Sequence, residues 1–265
     1  MKIGFIGAGN MARAIATGLV NSGLAPQNIS CISGDDPTAA NLAKDLGANL
    51  AANREELISF GDIVLLAFKP NHLETITPEE GDFAEGKVVL SILAGRTLAD
   101  LAKAFPKAAN IVRVMPNTPA AIGAGVATYC FQNEPSDELK ANVEKILGAL
   151  GTAYQVVEEQ LHIATVINGC GPAFYFRIVQ LLGEIAEKHG LDKNLAMTLA
   201  SETAIGSCQL FNQSDKSAQE LIDAVTSPNG VTHALLQSLD RNGFPNVLEV
   251  SAQDAVDRSV ELSEG

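Results

Sequence analysis

"KIGFIGAGNMARAI", Lys2 to Ile15, decides how the first half of the chain is read. The apolar stretch Lys2–Gly7 has the length of a short strand. The segment "NMARAIATGLVNSG" after it has helical spacing and ends at Gly23. Between them stands G-x-G-x-x-A, with Gly7, Gly9 and Ala12 at the three small positions. Gly7 permits a tight turn, Gly9 lets backbone approach a pyrophosphate, and Ala12 lets the helix pack closely on the strand. The open N–H groups and dipole of the helix N-terminus then favour an anion. Such a motif alone is weak, but here it lies between a predicted strand and a predicted helix, so a dinucleotide site is expected.

The same alternation continues outward. "NISCIS" predicts a second strand and Ala39–Leu46 a helix; "DIVLLAF", "KVVLSIL" and "NIVRVM" are apolar runs of strand length. Strands apolar on both faces and separated by helices predict a doubly wound parallel sheet, the Rossmann arrangement. "GVATYC" and "TAYQVV" add strands around a helix from about Ser136 to Leu150. Beyond Glu158 the strand patterns stop. The expected division is residues 1–160 as the dinucleotide-binding domain and residues 161–265 as an all-helical domain. Phe174 to Ala186 is apolar on nearly every face apart from Arg177, Gln180 and Glu184. A helix of that kind is normally buried all round, and so short a domain predicts a partner subunit as its cover.

Composition excludes several classes. The net charge is -13, from 18 basic and 31 acidic residues. No basic run is present, so neither nucleic acid nor an anionic membrane is an expected partner. Cys31, Cys130, Cys170 and Cys208 are scattered without a C-x-x-C pair and read as buried free thiols of a reducing compartment. The apolar start is too short for a signal segment, and a soluble, cytoplasmic protein is expected. His72, His162, His189 and His233 lack metal-ligand spacing.

Two places leave their roles open. "SGDD", after the second strand, carries Asp35 and Asp36, which either meet a ribose or cap the helix begun by Pro37. No Lys or Arg lies between Ser33 and Asn41 to meet a 2′-phosphate, and Arg54 is the nearest cation beyond it. NADPH and NADH both remain open. "AFKP" ends the third apolar strand, where Lys69 is either a ligand contact or a solvated charge.

Taken in order, "GFIGAGNM", "AFKP", "RVMPNTP", "GCGPAFYF" and "VTSPNGVTHAL" closely resemble the Δ1-pyrroline-5-carboxylate reductase family over nearly the whole chain. The resemblance implies a Rossmann domain followed by a helical dimerisation domain, a homodimer and, in larger assemblies, a homodecamer. It implies hydride transfer from NADPH or NADH to the C=N carbon of 1-pyrroline-5-carboxylate, yielding L-proline. Residue by residue, it places Gly7, Ala8, Gly9, Asn10 and Met11 at the pyrophosphate, and Ser33 and Asn53 at the adenosine end. Ala67, Lys69 and Pro70 would flank the ribose, and Ala94, Gly95, Met115, Pro116 and Asn117 the nicotinamide. Ser227, Asn229, Gly230, Val231 and Thr232 would form the substrate loop, with the Thr232 hydroxyl as the catalytic contact to the imine nitrogen.

The chain departs from the family wording at Asn168 and Cys170, where serines are usual, at Asn229 for Gly, and at Glu202 for Gln. Asn tolerates left-handed backbone better than other non-glycine residues, so the loop shape is expected to survive. A related imine reductase, a β-hydroxyacid reductase and a non-catalytic NAD(P)-sensing protein are alternatives that share the first half. A β-hydroxyacid dehydrogenase would carry a catalytic lysine on its first long helix, where this chain has "GPAFYFRIVQ" and no lysine before Lys188. A non-catalytic NAD(P)-sensing protein would not need the hydroxyl-rich loop.

Overall fold

The computed structural model describes residues 1–264. The chain forms two compact units: Met1–Cys170 together with the chain from Ala255 onward, and Gly171–Asp254. The sequence pattern puts the division near residue 160; by packing it falls at Cys170, and the end of the last helix belongs with the first unit.

The first unit is built on eight strands: β1 Ile3–Ile6, β2 Ile29–Ile32, β3 Asn49–Leu50, β4 Ile63–Leu66, β5 Val88–Ser91, β6 Asn110–Met115, β7 Gly125–Phe131 and β8 Gly151–Gln155. Their order is β3-β2-β1-β4-β5-β6-β7-β8. Parallel pairing sets Ile3 opposite Ile29 on one side and Ile63 on the other. The side chains divide by strand period. Ile3, Phe5, Leu65, Leu90 and Val112 pack on one face with Ile15 and Leu19 of the first helix, Asn10–Asn21. Ile6, Val64, Leu66, Val89 and Ile111 pack on the other with Leu57 and Leu101. Helices covering both faces explain why "DIVLLAF" is apolar throughout.

The far edge differs from an all-parallel sheet. β7 pairs antiparallel with β6, Val112 opposite Phe131, and β8 then runs parallel to β7. Only a short connection with one 3-10 turn, Thr118–Ile122, joins β6 to β7. A parallel crossover needs about a dozen residues or more, so the chain reverses instead.

The second unit pairs helices Gly171–Lys188 and Lys193–Gln213, with Gly183 seated against Met197, and continues through Ala218–Ala224, Val231–Arg241 and the start of Phe244–Glu264. Among its described residues only Gly171, Gly183 and Ala196 are buried. Phe176 is 67% exposed and Tyr175 59%. Helices this apolar with no large side chain buried lack a core of their own. The helix Gly171–Lys188 is not apolar on every side: Arg177 donates to Gln180, and Gln180 to Glu184, forming one polar row. Cys31 and Cys130 are buried free thiols as expected, whereas Cys170 and Cys208 are exposed on the single chain. No helix among the described residues is long and apolar enough to cross a membrane.

Candidate active site

β1 lies where the strand order reverses, β2 on one side and β4 on the other, and ligands of open α/β sheets meet the carboxyl ends of strands there. At that end Gly7 takes φ 100°, its N–H donates to the Ile32 carbonyl at 2.8 Å, and the Ala67 N–H donates to Ile6 at 2.8 Å. A cleft of about 720 Å³ opens above. Its walls include Gly7–Met11 and Ser33–Asp36, with Ala67, Lys69 and Pro70 after β4. Gly9 is the N-cap of the first helix, with no side-chain capping bond and no acidic residue in the first turn. The helix therefore presents open N–H groups beside the cleft.

Gly9 tests whether a dinucleotide fits. Its φ is -69°, which any residue adopts, and a Cβ built there meets nothing within 4 Å. Nothing in the fold requires a glycine there. A phosphate drawn onto the helix N-terminus would require one, because it brings its oxygens to the backbone.

The Ser33–Thr38 wall of the cleft is braced from within. Asp36 accepts from the N–H of Thr38 at 2.9 Å and from the Thr38 hydroxyl, and Ser33 Oγ donates to the Asp36 carbonyl at 2.9 Å. The Thr38 hydroxyl, then its N–H, holds the Asp36 carboxyl below the usual range. Asp36 thus takes the helix-start role for Thr38–Leu46, and Asp35 lines the cleft without that bond. Asn53 is not in the lining; its Oδ1 accepts from Glu56 N–H at 2.8 Å and caps helix Arg54–Phe60. A residue before a helix is equally suited to cap or to ligate, and the cap is what the side chain makes. Arg54 reaches the lining, but its guanidinium donates to Thr75 O at 2.9 Å and pairs with Glu80 at 3.2 Å. With the cation engaged and two carboxylates nearby, a phosphate contact adds about 1–3 kcal/mol. Any preference for NADPH over NADH should stay below roughly a thousandfold, about 4 kcal/mol. Paired initial rates with the two cofactors check this, and a larger ratio would expose a phosphate clamp other than Arg54.

Ala94, Gly95 and Met115 line a second cavity of the same unit, about 220 Å³, with Arg113, Thr165 and Cys170. Pro116 and Asn117 line neither cavity. Asn117 is buried, accepting from the Val126 N–H at 2.8 Å and donating to the Asn168 carbonyl at 3.0 Å. Arg113 is 7% exposed and pairs with Glu158 at 2.9 Å. Glu158 Oε1 also accepts the Leu98 N–H at 2.7 Å. Burial, then the Glu158 charge, pushes the neighbouring Cys130 thiol up to about 12. The signal for this pair was an arginine inside the apolar strand "NIVRVM", since buried arginines are almost always partnered.

In the second unit, "VTSPNGVTHAL" forms a turn closed by Gly230 N–H to Ser227 O at 2.9 Å. Asn229, at φ 59°, is the one non-glycine residue with positive φ among those described. Proline followed by a positive-φ residue is the pattern of a type II turn, and the expected loop shape survives the Asn. Helix Val231–Arg241 begins directly after it, with Gly230 as N-cap and no side-chain cap. Thr226 Oγ1 donates back to Ile222 O at 2.7 Å. The Ser227 and Thr232 hydroxyls cap no helix among the described residues. The Gly230 N–H is already used in the turn; those of Val231, Thr232 and His233 face outward from the helix start.

Residues 158–262 match the family model for pyrroline-5-carboxylate reductase dimerisation, and residues 2–95 that for NADP oxidoreductase, coenzyme F420-dependent. The chain is 31% identical over 266 residues to pyrroline-5-carboxylate reductase 1 of Bacillus subtilis, covering 99% of this chain and 90% of the other. A pyrroline-5-carboxylate reductase from Coxiella burnetii superposes with a TM-score of 0.92 at 30% identity, over 99% of this chain and 98% of that one. Pyrroline carboxylate reductase from Plasmodium falciparum, solved with NADP bound, gives 0.85 at 30%, with the same coverage. A Rossmann unit matching an NADP oxidoreductase model, a helical region matching the dimerisation model and full-length similarity together show that the chain belongs to the pyrroline-5-carboxylate reductase family.

Proposed function

We propose that the chain reduces the C=N bond of 1-pyrroline-5-carboxylate to L-proline with NADPH or NADH, the last step of proline biosynthesis. The observation that carries this reading is the cleft at the sheet's switch point, walled by a helix start whose Gly9 the fold itself does not require. When bound, the reduced cofactor supplies the hydride. Gly7–Met11 receive the pyrophosphate on open N–H groups, Ser33 borders the adenosine end, and Ala67, Lys69 and Pro70 border the ribose. Ala94, Gly95 and Met115 form the nicotinamide end, and Asn117 holds the backbone after Met115 through its bonds to Val126 and Asn168. The start of helix Val231–Arg241 draws the substrate carboxylate to its free N–H groups. Thr232 directs its hydroxyl at the imine nitrogen.

Thr232→Ala tests this assignment. Because its hydroxyl caps nothing, stability should stay within about 0.5 kcal/mol. Loss of a substrate hydrogen bond should remove about 1–3 kcal/mol, a fall of roughly tenfold to hundredfold in kcat/KM. Steady-state kinetics on the folded variant decide it; wild-type kcat/KM would reduce the loop to a bend.

The dimerisation match and the second unit's lack of buried large side chains support an obligate homodimer, and the proposal extends to a decamer as the larger assembly and the cytoplasm as its location. Light scattering at micromolar concentration is expected to show no active monomer.

A further inference from the structure

Residues Thr165–Gly169 form a π-helical turn, closed by the Cys170 N–H to Thr165 O at 2.9 Å. Such turns insert one residue into a helix and rotate the facing of every later residue, and they are frequent at functional sites. Here the turn holds Asn168, which is 8% exposed. Its Nδ2 donates to two carbonyls at once, Met115 O at 2.7 Å and Val126 O at 3.1 Å. Two acceptors at these distances fix which end of the amide faces them. The Asn168 backbone carbonyl takes the Asn117 amide, and Asn117 Oδ1 takes the Val126 N–H. The π-turn, the end of β6 and the start of β7 are thereby tied at one point. Gly169 presses on the same residue from the side, where a Cβ would meet Met115 Cε at 2.6 Å.

Asn168 Oδ1 is buried with no hydrogen-bond partner. A buried polar atom left unpaired opposes folding, and each such case asks for a reason. Packing does not supply one here, because a small apolar side chain would avoid the orphan oxygen. The reason on view is the double donation: a hydroxyl has one proton and serves one carbonyl, whereas the amide serves both.

We infer that Asn168 is a positioning residue that, together with Asn117, locks Met115 into the shape that receives the nicotinamide ring, an inference that rests on the reductase reading above. Fixing the hydride donor against its acceptor is a matter of fractions of an ångström, and a displacement of about 1 Å costs on the order of a hundredfold in rate. The clasp therefore acts on the nicotinamide half of the cofactor and leaves the adenosine half alone.

Asn168→Ala and Asn168→Ser separate this from a purely structural role. The measurements are kcat with saturating NADPH, NADPH affinity by cofactor fluorescence, ADP-ribose affinity by calorimetry, and thermal unfolding. In Asn168→Ala, kcat should fall roughly tenfold to hundredfold and NADPH affinity with it, while ADP-ribose, which lacks the ring, binds within about twofold of wild type. Asn168→Ser, with one donor, should lie between, and it carries the test if the alanine protein does not fold. Lower unfolding temperature with unchanged kcat and NADPH affinity overturns the inference, as does an equal loss of ADP-ribose and NADPH binding. A wild-type protein that binds NADPH but does not reduce 1-pyrroline-5-carboxylate sinks the reductase reading alone, and the two affinities still decide the role of Asn168.

Discussion

Gly7→Ala is expected to abolish cofactor binding and lower stability together, whereas Gly9→Ala weakens binding alone. At Gly7 a Cβ would lie 2.4 Å from the Ala67 carbonyl oxygen and 2.7 Å from the Phe68 nitrogen, both backbone atoms. The residue also sits at φ 100°, outside the region L side chains favour. Neither obstacle can relax without parting β1 from β4, so a cost of several kcal/mol, on the order of 3 or more, is expected. Gly9 differs: its backbone is ordinary and its Cβ meets open space. An alanine there should change the unfolding free energy by less than about 1 kcal/mol. It would still stand where the phosphate must approach, so NADPH affinity should fall by at least about tenfold, or 1.4 kcal/mol. Calorimetric titration and thermal unfolding of both variants give the four numbers. Unchanged NADPH affinity in Gly9→Ala would remove the pyrophosphate from this helix start.

The second large effect is expected at Glu158. Its carboxylate pairs with a guanidinium that is 7% exposed and also accepts the first N–H of helix Leu98–Ala104. Removing one partner of a buried pair leaves a desolvated charge, which typically costs 3–5 kcal/mol, or roughly 2–4 here because the Glu158 side chain is 30% exposed. Glu158→Ala should lose that amount. Glu158→Gln keeps an acceptor for Leu98 and should lose about half. The exposed pair Arg13–Asp45 is the control, at 2.8 Å with side chains 39% and 55% exposed. Arg13→Ala should cost no more than about 1 kcal/mol. Denaturant unfolding at one fixed protein concentration compares the three. Equal, small losses in all of them would mean that water reaches Arg113 in solution.

The contrast between these sites separates what sequence could and could not reveal. The dinucleotide motif was legible because strand, turn and helix are contiguous from Ile3 to Asn21, and each small residue answers to a local constraint. The all-apolar strands were legible because helices cover both faces of the sheet, which leaves no polar period. The Ser227–Gly230 turn was legible because Asn, unlike most other non-glycine residues, readily adopts the positive φ that Asn229 takes. The end of the parallel sheet was not legible: "GVATYC" is as apolar as its neighbours, and only the short link after β6 forces the reversal. Asn53, which the family resemblance put at the adenosine end, caps helix Arg54–Phe60 instead, because its side-chain oxygen accepts the Glu56 N–H three residues on.

Sequence by itself determined the local features: the glycine turn between the first strand and helix, the layered sheet and the helical second half. Tertiary structure alone decided the contacts between distant segments. Asn168 reaches Met115 across 53 positions and Arg113 reaches Glu158 across 45. No periodicity spans such intervals. Hydrogen bonds form between groups that folding has already brought within about 3 Å, so the clasp and the ion pair exist only once the sheet and the π-turn have set their ends side by side.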